Sequence, residues 1–134
     1  MAAAFGPRPV NLVNNVALTT GAGETTIADF YIEAGTVGLI IDVLHTSGGA
    51  GTVTYKIQGY HYTGGVSGWT QSYTDLLTST ALAKDVGSRM VVDPRVAAVA
   101  NTHASTVLPY RIRIRATAGA ANVTWIFLSA TQVG

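Results

Sequence analysis

The strictest constraint in this sequence is an alternation. Tyr110, Ile112, Ile114 and Ala116 alternate with Arg111, Arg113, Arg115 and Thr117. A side-chain period of two belongs to a β-strand with one apolar face and one wet face. A helix would scatter these arginines around its circumference. The same period recurs at 52–58, where Val53, Tyr55 and Ile57 oppose Thr52, Thr54, Lys56 and Gln58. A chain written this way must fold as sheets, and each apolar face must find a second sheet to cover it.

Strand-length segments follow one another along the chain. Val10–Leu18 alternates loosely and ends at a Gly-rich loop. Thr25–Glu33 carries Ile27, Phe30 and Ile32. Thr36–His45 is nearly all apolar, which predicts a central strand covered on both faces. Ser47-Gly48-Gly49-Ala50-Gly51 is the clearest turn, and predicts a hairpin into 52–58. Gly64–Gly68 is a second turn, before a strand at Trp69–Tyr73. Leu76–Lys84 reads as a helical turn or a loop. Arg89–Val92 is a short strand stopped by Asp93-Pro94, and Val96–Ala100 is ambiguous between a helical turn and coil. Small residues at 118–121 separate Tyr110–Thr117 from the β-branched and aromatic 122–131, which predicts a C-terminal hairpin. The sum is seven to nine short strands with turn signals every 8–12 residues, hence an all-β antiparallel sandwich. Residues 1–9, with Pro7 and Pro9 around Arg8, read as an extended arm outside a sandwich domain of 10–134. The expectation is that the arm orders against a neighbouring chain.

Composition narrows the function. Only 11% of the 134 residues are charged, 8 Lys+Arg against 7 Asp+Glu, where about 25% is usual. Either a neutral, Thr-rich β surface is tolerated, or part of the surface is hidden in an assembly; assembly is the reading preferred. The net charge of +1 offers no basic surplus for nucleic acid. The absence of cysteine removes disulfide frameworks and Cys-ligated zinc. No apolar run approaches the roughly 18 residues needed to span a bilayer as a helix, and the N-terminus lacks the pattern of a signal peptide. Synthesis in a reducing cytosol fits these features.

Two groups of residues stand out as candidate sites. Arg111, Arg113 and Arg115 line one strand face about 7 Å apart. They suit carboxylates of a neighbouring subunit, phosphates, or a solvated face with arginine stems lying over Ile126 or Leu128 on a partner strand. Tyr60, His61, Tyr62 and Trp69 surround a Gly-rich loop, and suit a protein interface, a sugar or a plain strand end. Together with Arg8, the arginine row and Tyr60, Tyr62 and Trp69 form the candidate protein interface. The histidines at 45, 61 and 103 show no close metal-ligand spacing. No nucleophile-elbow motif or paired carboxylates appear; Ser67 has half of such a motif and Gly21–Gly23 opens no phosphate loop. No catalytic residue, cofactor or metal is expected.

Two segments resemble a known group. Leu108-Pro109-Tyr110-Arg111-Ile112-Arg113-Ile114-Arg115 followed by Val123–Ala130 resembles the last hairpin of small jelly-roll head decoration (cement) proteins of tailed bacteriophages. Thr54–Gly59, a Gly/Ser loop and Trp69-Thr70 resemble an earlier hairpin of the same proteins. The likeness covers residues 36–130 as a strand pattern. It implies a jelly roll, a major capsid protein as partner, a homotrimer, a place on the capsid surface after synthesis in the host cytoplasm, and no catalytic residues. A carbohydrate-binding module, with Tyr60, Tyr62 and Trp69 as a stacking platform, and a tail or fibre domain are the alternatives.

Overall fold

The computed structural model describes the backbone of residues 8–14, 16–65 and 68–134, and the side chains of 16–61 and 72–134. Ten strands follow in chain order: β1 Arg8–Asn14, β2 Thr25–Tyr31, β3 Gly38–Ser47, β4 Thr52–Gly65, β5 Gly68–Thr78, β6 Leu82–Ala83, β7 Ser88–Val92, β8 His103–Ala104, β9 Arg111–Ala118 and β10 Val123–Val133. No helix occurs among the described residues. One sheet has the order β1-β10-β3-β7-β8; the other has β2-β9-β4-β5, with β6 beside β4. Pairing is antiparallel except between β7 and β8. With the two-residue β6 and β8 set aside, this is the order of an eight-stranded jelly roll, in which two Greek keys fold over each other.

The core lies between the sheets. From the first sheet come Leu39, Ile41, Val43, Met90, Val92, Ile126 and Leu128; from the second come Val53, Tyr55, Ile57, Ile112 and Ile114, all essentially inaccessible. Each strand supplies alternate residues, so neither sheet has a dry face without the other.

Strand order corrects three expectations. The segments at 110–117 and 122–131 are not a hairpin. They become β9 and β10, which lie in opposite sheets. The Ser47–Gly51 turn likewise carries the chain from β3 in one sheet to β4 in the other. A turn signal marks a reversal, but both a hairpin and a sheet-to-sheet crossover reverse the chain. Here the glycines serve the approach of the two crossovers. A Cβ on Gly51 would stand 2.7 Å from Ser47 Oγ and 3.2 Å from Ala121 Cβ, and one on Gly119 would collide with the Thr52 hydroxyl. The third correction concerns the arginine stems. Ile126 and Leu128 point into the core from the opposite sheet, so Arg111, Arg113 and Arg115 cannot lie over them.

One boundary and one burial expectation also change. β1 begins at Arg8, and Arg8 and Pro9 pair with Gln132 and Thr131. These two residues therefore belong to the sandwich rather than to an arm; residues 1–7 lie outside those described. Proline fits because β1 is an edge strand. β3 is central, as expected, but only one face is sealed: Ile40, Asp42, Leu44 and Thr46 on the outer face are half-buried.

Two buried polar groups tie the sheets together. Gln132 Oε1 accepts from the Glu33 amide at 2.8 Å and the Thr36 hydroxyl at 2.9 Å, while Nε2 donates to the Tyr31 carbonyl at 3.3 Å. At the other end the Tyr55 hydroxyl lies 3.3 Å from His45 Nδ1. Burial pushes the phenol of Tyr55 well above its ordinary range and pulls the imidazole of His45 below its own.

Gln132→Leu keeps the volume but strands the Glu33 amide and the Thr36 hydroxyl; denaturant unfolding should show a loss of about 1–3 kcal/mol. His45 gives a pH dependence. Its folded value lies below that of an unfolded histidine, near 6.5, so the unfolded chain takes up the proton first. Stability from this group is complete above about pH 6.5 and falls as pH drops toward the folded value. Thermal melts between pH 7.5 and 5 should show a falling Tm, and His45→Leu should flatten that slope.

Candidate functional site

The alternation of β9 that buries Ile112, Ile114, Ala116 and Ala118 sends Arg111, Arg113 and Arg115 to the outer face of the second sheet. β9 is an inner strand there, with β2 on one side and β4 on the other. Register then chooses the neighbours. Arg111 stands between Tyr31 and Tyr60, Arg113 between Asp29 and Gln58, and Arg115 between Thr26 and Lys56. Cross-strand partners share a face at Cβ separations of about 4.5–5.5 Å, so each arginine reaches groups from both sides.

The row is tied in place within the chain. Arg111 grips Asp29 with two parallel bonds, Nε to Oδ1 at 2.8 Å and an η-nitrogen to Oδ2 at 2.9 Å. This fork raises its already high pKa further. The Tyr73 hydroxyl donates to the same carboxylate at 3.2 Å. Burial, and then the charge of Asp29, raise the pKa of that phenol. Arg113 donates to Gln58 Oε1 and lies 3.8 Å from the centre of the Tyr73 ring. Arg115 bonds the Glu24 carbonyl at 2.8 Å and faces its carboxylate at 3.4 Å. Lys56 pairs with Glu24 at 2.5 Å and with Asp75 at 3.5 Å. Its pKa is raised, first by the hydrogen bond to Glu24. These arginines are therefore not a free cationic strip. A carboxylate or phosphate arriving from outside would have to displace an internal partner.

At one end of the row the face turns aromatic. Tyr31 and Tyr110 stack with centroids 6.1 Å apart and planes at 24°. Tyr110 meets Tyr60 edge-on at 6.0 Å, and Tyr60 meets Tyr73 at 4.8 Å. The Arg111 guanidinium lies 5.3 Å from the Tyr31 ring and 5.5 Å from the Tyr60 ring. Tyr31 is 64% exposed and Tyr110 46%.

The structure thus gathers Arg111, Arg113, Arg115 and Tyr60 from the expected interface. Arg8 lies in β1 of the other sheet, and Tyr62 and Trp69 lie in the β4–β5 hairpin; the side chains of all three are outside those described. Asp29, Tyr31, Gln58, Tyr73 and Tyr110 join the arginine row and Tyr60, and no motif in the sequence marks them for this face. Asp29 and Tyr31 do alternate with Ala28 and Phe30 along β2, but only the β2–β9 register brings them to Arg113 and Arg111. His45 is in the core, His61 lies near Thr74, and His103 is in β8. No group of three potential metal ligands occurs among the described residues.

The outer face of the first sheet is chemically different. Register aligns Ile40 with Val91 and Thr131, Leu44 with Phe127, and Thr46 with Trp125. Asp42 and Arg89 form an ion pair there at 2.8 Å. A hollow of about 320 Å³ opens beside Leu44, Phe127 and Gly87–Arg89.

No family model matches the sequence, and no curated protein matches it. Among solved structures, a chain in the structure of infectious bursal disease virus, Gx strain, is 16% identical, covering 99% of this chain and 34% of its own, with a TM-score of 0.45. The Gt strain gives 15% identity, the same coverage and a TM-score of 0.43. This chain thus spans about a third of the length of those viral chains. The C-terminal family 22 carbohydrate binding module of Clostridium thermocellum Xyn10B is 14% identical, covering 92% of this chain and 86% of its own, with a TM-score of 0.46. The sandwich architecture stands on the strand order itself.

The Arg111–Asp29 fork is testable by a double-mutant cycle. Asp29→Ala and Arg111→Ala should each lower Tm. The double variant should melt close to the lower single variant rather than at the sum of the two losses; simple additivity would show that the pair contributes nothing as a pair.

Proposed function

We propose that this chain is a structural protein of a phage virion, a decoration protein that binds the assembled head and stabilises it. The observation that carries this reading is the contrast between the two outer faces. Seven of the 15 charged side chains, Glu24, Asp29, Lys56, Asp75, Arg111, Arg113 and Arg115, gather over the second sheet and each has a partner there. The described part of the opposite face carries the Asp42–Arg89 pair among Ile40, Leu44, Val91, Trp125 and Phe127, with the uncharged Thr46, Ser129 and Thr131 between them.

An apolar sheet face of this kind gains from being covered. These side chains are already partly covered, so each would gain a fraction of the about 1.5–3 kcal/mol that full burial of an exposed one contributes. The first sheet would pack against the major capsid protein or a second copy of the chain, and the polar second sheet would stay wet. Binding only to the assembled head stabilises that state by mass action. A homotrimer is the proposed form, placed on the capsid surface. The resemblance of the 108–130 segment to phage decoration proteins supports the same choice, although its two strands pair with others rather than with each other.

Sedimentation at micromolar concentration should show a species about three times the 13.9 kDa chain, and the protein should co-sediment with heads. Leu44→Thr with Phe127→Thr, a cross-strand pair that sheets accept, should sharply weaken both behaviours while the thermal melt stays a single cooperative transition. A variant that still assembles and still binds heads would remove the first sheet from the interface.

A further inference from the structure

We propose that the tyrosine strip on the outer face of the second sheet, Tyr31, Tyr110, Tyr60 and Tyr73, is a binding site for a neutral carbohydrate chain. The site is independent of the virion reading, because it lies on the face which that reading leaves in water.

Three properties of the strip point to this ligand. The first is shape. Four rings follow one another at centroid spacings of 6.1, 6.0 and 4.8 Å, and register sets Tyr31, Tyr60 and Tyr73 in one row across β2, β4 and β5, so the strip is elongated and suits a chain rather than a single small molecule. The second is surface chemistry. A tyrosine ring offers an electron-rich face, and its hydroxyl a polar handle. A pyranose ring offers a face of weakly positive C–H groups and a rim of hydroxyls, which answers both. On the sheet the outward side chains next to the strip are Arg111, Arg113, Asp29 and Gln58. Aliphatic side chains, which a protein partner would use to fill an interface core, lie on the outer face of the first sheet and in the segment before Tyr110, where Val107 is 75% exposed.

The third property is charge. Arg111 is held by Asp29, Arg115 and Lys56 by Glu24, and Arg113 by Gln58 and the Tyr73 ring. An ionic ligand would have to break one of these contacts, whereas hydroxyls can bond to the fixed carboxylate and amide oxygens without displacing a charge. Arg111 acts as a positioning residue. Its guanidinium sits within 5.3 Å of Tyr31 and 5.5 Å of Tyr60 and holds both rings to the sheet. The exposed Tyr31 and Tyr110 are the groups that meet the sugar.

The test is a printed array of neutral hexose, pentose and N-acetylhexosamine oligomers, with sulfated and sialylated chains beside them. The strongest neutral oligomer is then titrated calorimetrically against the full chain. A neutral oligomer should bind with little dependence on salt. Tyr31→Ala and Tyr110→Ala should each weaken it at least tenfold, about 1.4 kcal/mol, and Val86→Ser, at an exposed position elsewhere, should leave it unchanged. Tyr31→Phe should retain most of the affinity, since it keeps the ring. Tyr31→Ala combined with Tyr110→Ala should abolish binding; if that double variant fails to fold, the Tyr31→Ala variant decides alone. The proposal is overturned by no binding to any neutral oligomer, by binding that survives loss of both tyrosines, or by binding confined to the sulfated and sialylated chains. It is equally overturned if the tyrosine variants lose head binding and no sugar binds, which would make the strip a protein contact.

Discussion

Everything in this molecule depends on one packing constraint: neither sheet can bury its apolar face except against the other. The alternate residues of β9 and β4 in one sheet meet those of β3, β7 and β10 in the other, and Tyr55 spans the gap to His45. Sheets packed face to face stand about 10 Å apart, and short crossovers must bridge that gap twice at the same end. This is why Gly51 and Gly119 sit where a Cβ would collide with the adjoining strands.

The same constraint builds the surface. Once Ile112 and Ile114 are committed to the core, the pleat leaves Arg111, Arg113 and Arg115 no choice but the outer face. Because β9 is flanked on both sides, each arginine finds a partner from β2, β4 or the segment before β2. Ion pairs this exposed add little to stability. Their effect is geometric, since they hold tyrosines and carboxylates in fixed relation. A row that reads in the sequence as a cationic grip for a partner is tied up by the fold, and beside it the fold exposes Tyr31 and Tyr110.

The two outer faces therefore offer different things to the surroundings. The first sheet shows half-covered aliphatic and aromatic side chains with the Asp42–Arg89 pair among them. The second shows a wired polar face with a tyrosine strip at one end. The decoration role proposed above, covered on one side and wet on the other, would use this division.

Much was legible in the residues alone. The period of two in 110–117 and 52–58 determined strands, their inward residues and hence a sandwich, because the pleat projects alternate side chains to opposite faces. The Ser47–Gly51 and 118–121 segments determined where the chain reverses. The partner each strand would choose was decided only in three dimensions. Turn chemistry is local, whereas β10 pairs with β1 and β3, and β9 with β2 and β4, through contacts far apart in sequence. For the same reason the arginine row could be read from the sequence while Asp29, Tyr31 and Tyr73 could not be joined to it. An alternation tells which way a side chain points, and only register tells what it meets there.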